Sequence, residues 1–342
     1  MNAIERTLAT IHCEACDRVP VIPLIIQHSL EVSGITHSRY SSDPEALAAS
    51  QIAAWEAYGY DGFHITSDNY VVSEALGNRV VLPEDDPPQK VFTCLSDTKV
   101  LSALRRDFDP QTVARMPVLI KATRIARARV GGRAFLKANC DSGPFSVAAS
   151  LRGAENLFYD LYDDEQFVYD LMEITAEAIV RYARALAAAG ADAITYGEST
   201  GSLVSRGMFE KFILPLNRHV VGEIKKTGLP VFYHMCGKVD HVVDLMAETG
   251  ADVLELDSFT DLQVAYEKTA GKICIEGTVD TVSSLLRGTS RTVYDESRRV
   301  IETARGRGLI LSSGCELPRK TPPDNVRAML RAAVDAAEGR NP

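Results

Sequence analysis

The chain has 342 residues, long for one ordinary domain but within the range of an α/β barrel. With 46% hydrophobic and 24% charged residues it can bury a sizeable core, which excludes a disordered chain. A formal charge of −9, with no basic cluster carrying interleaved aromatics, argues against a polyanion partner, so no nucleic acid is expected. The start, Met1-Asn2-Ala3-Ile4-Glu5-Arg6, lacks the charged-then-apolar layout of a signal peptide, and no window approaches the ~18 uninterrupted apolar residues of a membrane helix. The expectation is a cytoplasmic monomer or homodimer without a membrane partner. Seven cysteines, an odd number spread along a long chain, read as core residues, ligands or nucleophiles rather than disulfides.

Short β-branched runs, each followed by a polar or glycine-containing turn and a helical pattern, recur through the chain and predict βα units around a parallel sheet. The predicted strands are Val19–Ile26, Gly62–Thr66, Ala134–Ala138, Ala193–Tyr196, Pro230–Tyr233, Val253–Leu256, Lys272–Ile275 and Leu309–Ser312. Eight is the number that closes a TIM barrel, so the expected fold is a single (β/α)8 barrel over residues 1–342. Between the strands, Asp43-Pro44-Glu45 opens one helix, and Asp164–Ala189 is a long amphipathic stretch ended by Gly190. The turns Gly190-Ala191-Asp192 and Gly250-Ala251-Asp252 share a helix-to-strand signature. Asn78–Asp109, which contains Leu82-Pro83-Glu84-Asp85-Asp86-Pro87-Pro88, breaks the rhythm and predicts an irregular excursion.

In such a barrel the active site is built at the C-terminal ends of the strands. The polar residues that end the apolar runs are rich in acids and ligands: His64, Asp68, Asn139, Asp141, Tyr196, Glu198, His234, Cys236, Asp257, Glu276, Cys315 and Glu316. His234 and Cys236 lie two apart at the end of the fifth run, so they share one face of the strand. Cys315 ends the eighth. One imidazole and two thiols with an open fourth position form the ligand set of a catalytic zinc, and their wide separation argues against a finger or ribbon. Glu198 is a candidate to complete the tetrahedron when substrate is absent. The bland alternative is a pair of core cysteines beside a hydrogen-bonded histidine. His12-Cys13-Glu14-Ala15-Cys16 has no second ligand pair nearby, while Cys94, Cys140 and Cys274 read as small hydrophobes and His37, His219 and His241 as loop or surface residues.

Several segments together resemble the uroporphyrinogen decarboxylase superfamily over nearly the whole chain. They are Asp17-Arg18-Val19-Pro20-Val21, Ser142-Gly143-Pro144-Phe145, Leu151-Arg152-Gly153, Met208-Phe209-Glu210-Lys211-Phe212-Ile213-Leu214-Pro215, Gly314-Cys315-Glu316-Leu317-Pro318 and Thr321-Pro322-Pro323-Asp324-Asn325-Val326. The resemblance implies a (β/α)8 barrel and one of two chemistries. The decarboxylases carry an arginine motif after the first strand, where this chain has Leu24-Ile25-Ile26-Gln27-His28-Ser29-Leu30, without arginine. Asp68 resembles their pyrrole-binding aspartate. The zinc- and corrinoid-dependent methyltransferases are marked by a His-x-Cys and a later Gly-Cys, and His234, Cys236 and Cys315 match those positions.

That likeness implies Zn2+ as cofactor, binding an acceptor thiol whose thiolate takes a methyl group from Co(III) of a methylcobamide, leaving Co(I). Asn139, Asp141 and Tyr196 are then candidates to line the cofactor pocket. No Asp-x-His-x-x-Gly signature of a corrinoid-binding domain occurs, so the cobalamin or other corrinoid is expected free, as methylcobalamin, or on a separate corrinoid protein. The expected function is methyl transfer between that carrier and a small acceptor or donor, most naturally a thiol, within a demethylation system. A tetrapyrrole-acid decarboxylase and a non-catalytic corrinoid-binding barrel are the alternatives.

Overall fold

A computed structural model describes residues 1–340. Nine strands form among them: β1 Gly62–Ile65, β2 Arg79–Val81, β3 Gln89–Phe92, β4 Phe135–Ser142, β5 Ala193–Gly197, β6 Val231–Met235, β7 Val253–Leu256, β8 Cys274–Val279 and β9 Leu309–Ser313. Seven make one parallel sheet in the order β1-β4-β5-β6-β7-β8-β9, while β2 and β3 pair separately as an antiparallel hairpin. That hairpin lies in the excursion expected to be irregular. Strands such as β1, β7 and β9 are buried at every residue, as expected of parallel strands covered on both faces.

The first predicted strand is not a strand. Within Val19–Ile26 only one bridge forms, Val21 to Leu311. The Ile22 N–H donates to the Leu311 carbonyl (3.0 Å), the Leu311 N–H to that of Pro20 (2.8 Å), and the Asp61 N–H to that of Val21 (2.8 Å). Pro20 and Pro23 have no N–H to extend such a ladder, so the extended chain touches both β9 and the approach to β1 without pairing regularly.

The sheet is strongly curled, and side chains from strands that are not neighbours meet inside the curl. Lys137 on β4 bonds Glu255 on β7 and reaches Glu276 on β8 at 2.7 Å, while Thr195 on β5 donates to Glu255 at 3.0 Å. A flat sheet would hold β4 and β7 three strand spacings apart, about 14 Å.

The helical punctuation follows the sequence. Asp43 caps Pro44–Tyr58 through the Glu45 N–H, and Asp164 caps Glu165–Ala188. The repeated Gly-Ala-Asp turns have a structural reason: Asp192 accepts from the Leu136 N–H at 2.7 Å and Asp252 from the Val231 N–H at 2.9 Å, each tying a loop to the start of a neighbouring strand. Asp61 does the same for Val21, at 2.7 Å. Of the histidines expected near the surface, His219 and His241 are exposed, but His37 is buried at the start of the helix His37–Ser42. Among the described residues no helix is long and apolar enough to cross a membrane.

Candidate active site

The end of β6 and the turn after β9 bring His234, Cys236 and Cys315 together, with one ligand atom from each all within 4.8 Å of one another. His234 Nε2 lies 3.0 Å from Cys236 Sγ, and the two sulfurs are 3.6 Å apart. No disulfide joins them. His234 Nδ1 is 3.1 Å from the carbonyl oxygen of Glu255, which can only accept, so Nδ1 carries the donated proton and Nε2 faces the sulfurs. Ser199 Oγ donates to Cys236 Sγ at 3.2 Å, and Asp257 accepts from the Gly237 N–H at 2.9 Å, holding the turn that follows the thiol.

A hydrogen bond from Cys315 holds the Cys236 thiol below its ordinary value, and Cys315 is pushed up in turn by that bond and by burial. Burial disfavours a charged His234, but the neighbouring Cys315 and carboxylates outweigh it and raise its pKa. His234 and Cys315 thus hold their protons more tightly than usual and Cys236 less so, and a cation bound by the three would displace those protons. Two sulfurs and an imidazole fixed through its second nitrogen fit a zinc ion.

Glu198, expected as a fourth ligand, is turned elsewhere and is absent from the group within 4.8 Å. Its buried carboxylate accepts from the Ser146 N–H (2.6 Å), the Phe145 N–H (3.2 Å) and Asn217 Nδ2 (3.1 Å). These backbone donors form the N-terminus of the helix Pro144–Arg152, where negative charge is stabilised. Burial raises the pKa of Glu198 and these donors oppose the rise. Glycine at 143 is required by this packing, because a Cβ there would strike the Glu198 carboxylate. Gly314 has a similar reason: a Cβ would meet the backbone of Asp257 and Ser258.

A small cavity of about 100 Å³ opens beside the two thiols. His64, Asn139, Asp141, Tyr196 and Glu316 line it, along with Glu255 and Ser199, which the sequence reading passed over. Glu255 had a signal, since it interrupts the apolar run Val253-Leu254-Glu255-Leu256 and shares a face with Asp257. Lys137 interrupts β4 in the same way. Asp141 is buried in a left-handed conformation (φ +85°), uncommon for a residue with a side chain and a mark of stored strain. Its Oδ2 accepts from the Val72 N–H at 2.5 Å, while Oδ1 has no partner. Burial pushes its pKa to about 7, and burial does the same to Glu316, whose Oε1 accepts from the Gln27 N–H. Tyr196 is fully buried with its hydroxyl unpartnered, its ring 5.1 Å from that of Tyr233.

Beneath this cavity His64, Glu255 and Glu276 form a second buried cluster, with the Lys137 ammonium bonded to both carboxylates. Asp68 and Asp257 do not line the cavity. Asp68 is instead clamped by Arg115, through Nη1 at 2.5 Å and Nη2 at 3.0 Å, and Arg115 also binds Glu74. The His12–Cys16 stretch contributes to no metal-like group among the described residues.

The chain is similar to the methylcobamide:CoM methyltransferase MtbA of Methanosarcina acetivorans, at 24% identity over 335 residues and 96% of each chain. It is also similar to a uroporphyrinogen decarboxylase of Syntrophotalea carbinolica, at 26% identity over 84% of this chain and 83% of the other. Among solved structures, a methyltransferase from Methanosarcina mazei superimposes with a TM-score of 0.91 at 23% identity, covering 98% of this chain and 99% of that one. The family model for uroporphyrinogen decarboxylase (URO-D) matches residues 2–336, so the chain belongs to that family.

Proposed function

We propose that this chain is a zinc-dependent corrinoid methyltransferase that moves a methyl group between a methylcobamide and a small thiol. The observation that carries the reading is the convergence of His234, Cys236 and Cys315 at the carboxyl ends of β6 and β9. We read the sheet as a (β/α)8 barrel in which Pro20–Ile22 stands in for the eighth strand, so the three donors share its catalytic rim. A zinc ion held by them would supply the Lewis acidity that keeps an acceptor thiol ionised near neutral pH.

The chain's own groups prepare for this. Glu255 fixes the imidazole tautomer through its carbonyl, Ser199 and Asp257 hold Cys236 and its turn, and Glu198 anchors the helix Pro144–Arg152 beside the cavity. At about 100 Å³ the cavity suits a small acceptor and is far below the ~300–1,000 Å³ of sites for larger ligands. A corrinoid ring must therefore present its methyl group at the mouth. Leu203 and Phe259 are exposed on the loops that follow β5 and β7, next to Ser202 and Ser258, which pack near Gly237 and Gly314. These two exposed apolar side chains are where we place the landing of such a ring or its carrier protein.

The decarboxylase relatives raise a second reading, but Asp68 is paired with Arg115 away from the cavity. Among the described residues no Lys or Arg lines that cavity to receive substrate carboxylates. Metal analysis tests the proposal: purified protein should hold about one zinc per chain and Cys236→Ser should lose most of it. Wild-type protein without zinc, or a Cys236→Ser variant that retains it fully, would contradict the reading.

A further inference from the structure

The cavity beside the thiols has a one-sided charge. Asp141, Glu255 and Glu316 line it, with no Lys or Arg among the described residues. The nearby buried cations are already paired, Arg115 with Asp68 and Glu74, and Lys137 with Glu276 and with Glu255 itself, so that Asp141 and Glu316 are the lining acids left without an ion-pair partner among the described residues. His64 adds no charge, because burial and the neighbouring Lys137 hold its pKa well below the ordinary histidine value. Asn139 is already used, its Nδ2 donating to Thr66 at 3.3 Å and its Oδ1 accepting from the Asp141 N–H at 2.6 Å. Among the lining residues the atoms left without a partner are the two His64 ring nitrogens, the Tyr196 hydroxyl and Asp141 Oδ1, and of these only Asp141 Oδ1 belongs to a carboxylate, whose other oxygen is satisfied by Val72.

We infer that the acceptor thiol carries a neutral or cationic, hydrogen-bond-donating head rather than an anionic one, and that Asp141 Oδ1 receives that head. The inference rests on the methyl-transfer reading above, since it assigns this cavity to the acceptor. A hydroxyl, amide or ammonium group would satisfy the orphaned carboxylate oxygen of Asp141, whereas leaving such an oxygen unpaired in a buried site is costly. An anionic head would lie in a low-dielectric space beside the Asp141 carboxylate, where the lining offers no Lys or Arg to pair it, which is how a site discriminates against a competitor. Coenzyme M, the thiol in several relatives' names, ends in a sulfonate and is the kind of acceptor this cavity disfavours.

Three thiols on the same two-carbon chain separate the possibilities: coenzyme M (sulfonate), 2-mercaptoethanol (hydroxyl) and cysteamine (ammonium). Their affinities are measured by calorimetry at pH 8 on the zinc-loaded wild type and on Asp141→Asn, a change that keeps the side-chain shape and suits the left-handed backbone. Cysteamine should bind at least about tenfold tighter than coenzyme M, with 2-mercaptoethanol between them, and Asp141→Asn should shrink that ratio at least about fivefold. Comparing ratios between the two proteins cancels the thiols' own acidities. Coenzyme M binding as tightly as cysteamine, a ratio unchanged in the variant, or no binding by any of the three would overturn the inference. Should the variant fail to fold, the wild-type order alone decides. Methyl transfer from methylcobalamin is followed separately: the expected affinity order without transfer would sink the proposed function and leave the head-group assignment standing.

Discussion

Glu198 illustrates how a side chain's direction decides its role. A carboxylate at the end of β5, one residue before the Ser199 that bonds Cys236, is a plausible ligand on paper, yet its oxygens are taken by the Phe145 and Ser146 N–H groups and by Asn217. Glu198→Gln would turn an amide NH2 toward those donors, and an unsatisfied buried pair of this kind costs roughly 2–4 kcal/mol. The variant should therefore melt lower than wild type while its folded fraction keeps wild-type zinc affinity. A zinc affinity more than about tenfold weaker at unchanged stability would instead make Glu198 a ligand.

Asp141 supplies a pH test. Its folded-state pKa, raised to about 7 chiefly by burial, lies above the ~3.9 of a free aspartate. The native state thus keeps a proton that the unfolded chain has already lost, and the stability linked to that proton disappears as pH rises from about 4 through about 7. Asp141→Asn removes the linkage. Relative to wild type, it should gain stability between pH 5 and pH 8, by about 2.6 kcal/mol, since roughly two of the three pKa units at ~1.4 kcal/mol each fall within that window. Melting curves at the two pH values check this, and an equal difference at both would contradict it.

At the scale of elements, the strand ends were the most legible part of the site. His234 and Cys236 share a face because strand side chains alternate, and both lie at the end of an apolar run. Cys315 follows Gly314, whose missing side chain lets the turn after β9 approach the loop after β7. Gly314→Ala should cost about 1–3 kcal/mol through backbone overlap and weaken zinc retention during chelator dialysis, since Cys315 must move with the turn. A variant that melts and retains zinc like wild type would contradict that packing argument.

The failures are physical too. Val19–Ile26 has a strand's composition, but two prolines interrupt its ladder, and apolar content cannot report a missing N–H. Asp68 and Glu198 sit in the right stretches of sequence, but their partners, Arg115 and the helix Pro144–Arg152, lie far away along the chain. Lys137 and Glu255 were visible as charges inside apolar strands. What the pattern could not reveal is that the curl of the sheet lets them neutralise each other across the interior.

For the molecule as a whole, the curled sheet concentrates ligands at one rim, and the loops there leave Leu203 and Phe259 exposed. Replacing both by serine should raise the KM for methylcobalamin about three- to tenfold, the effect of losing modest apolar contact, without changing zinc content. An unchanged KM would remove these residues from the carrier's landing surface. The most direct test of the central claim is the absorbance of methylcobalamin mixed with the zinc-loaded protein and 2-mercaptoethanol. The site predicts thiol-dependent loss of the methyl–cobalt spectrum with formation of the methyl thioether, and loss of both in Cys236→Ser and Cys315→Ser. Wild-type rates in those variants, or no methyl transfer by zinc-replete protein to any small thiol, would contradict it.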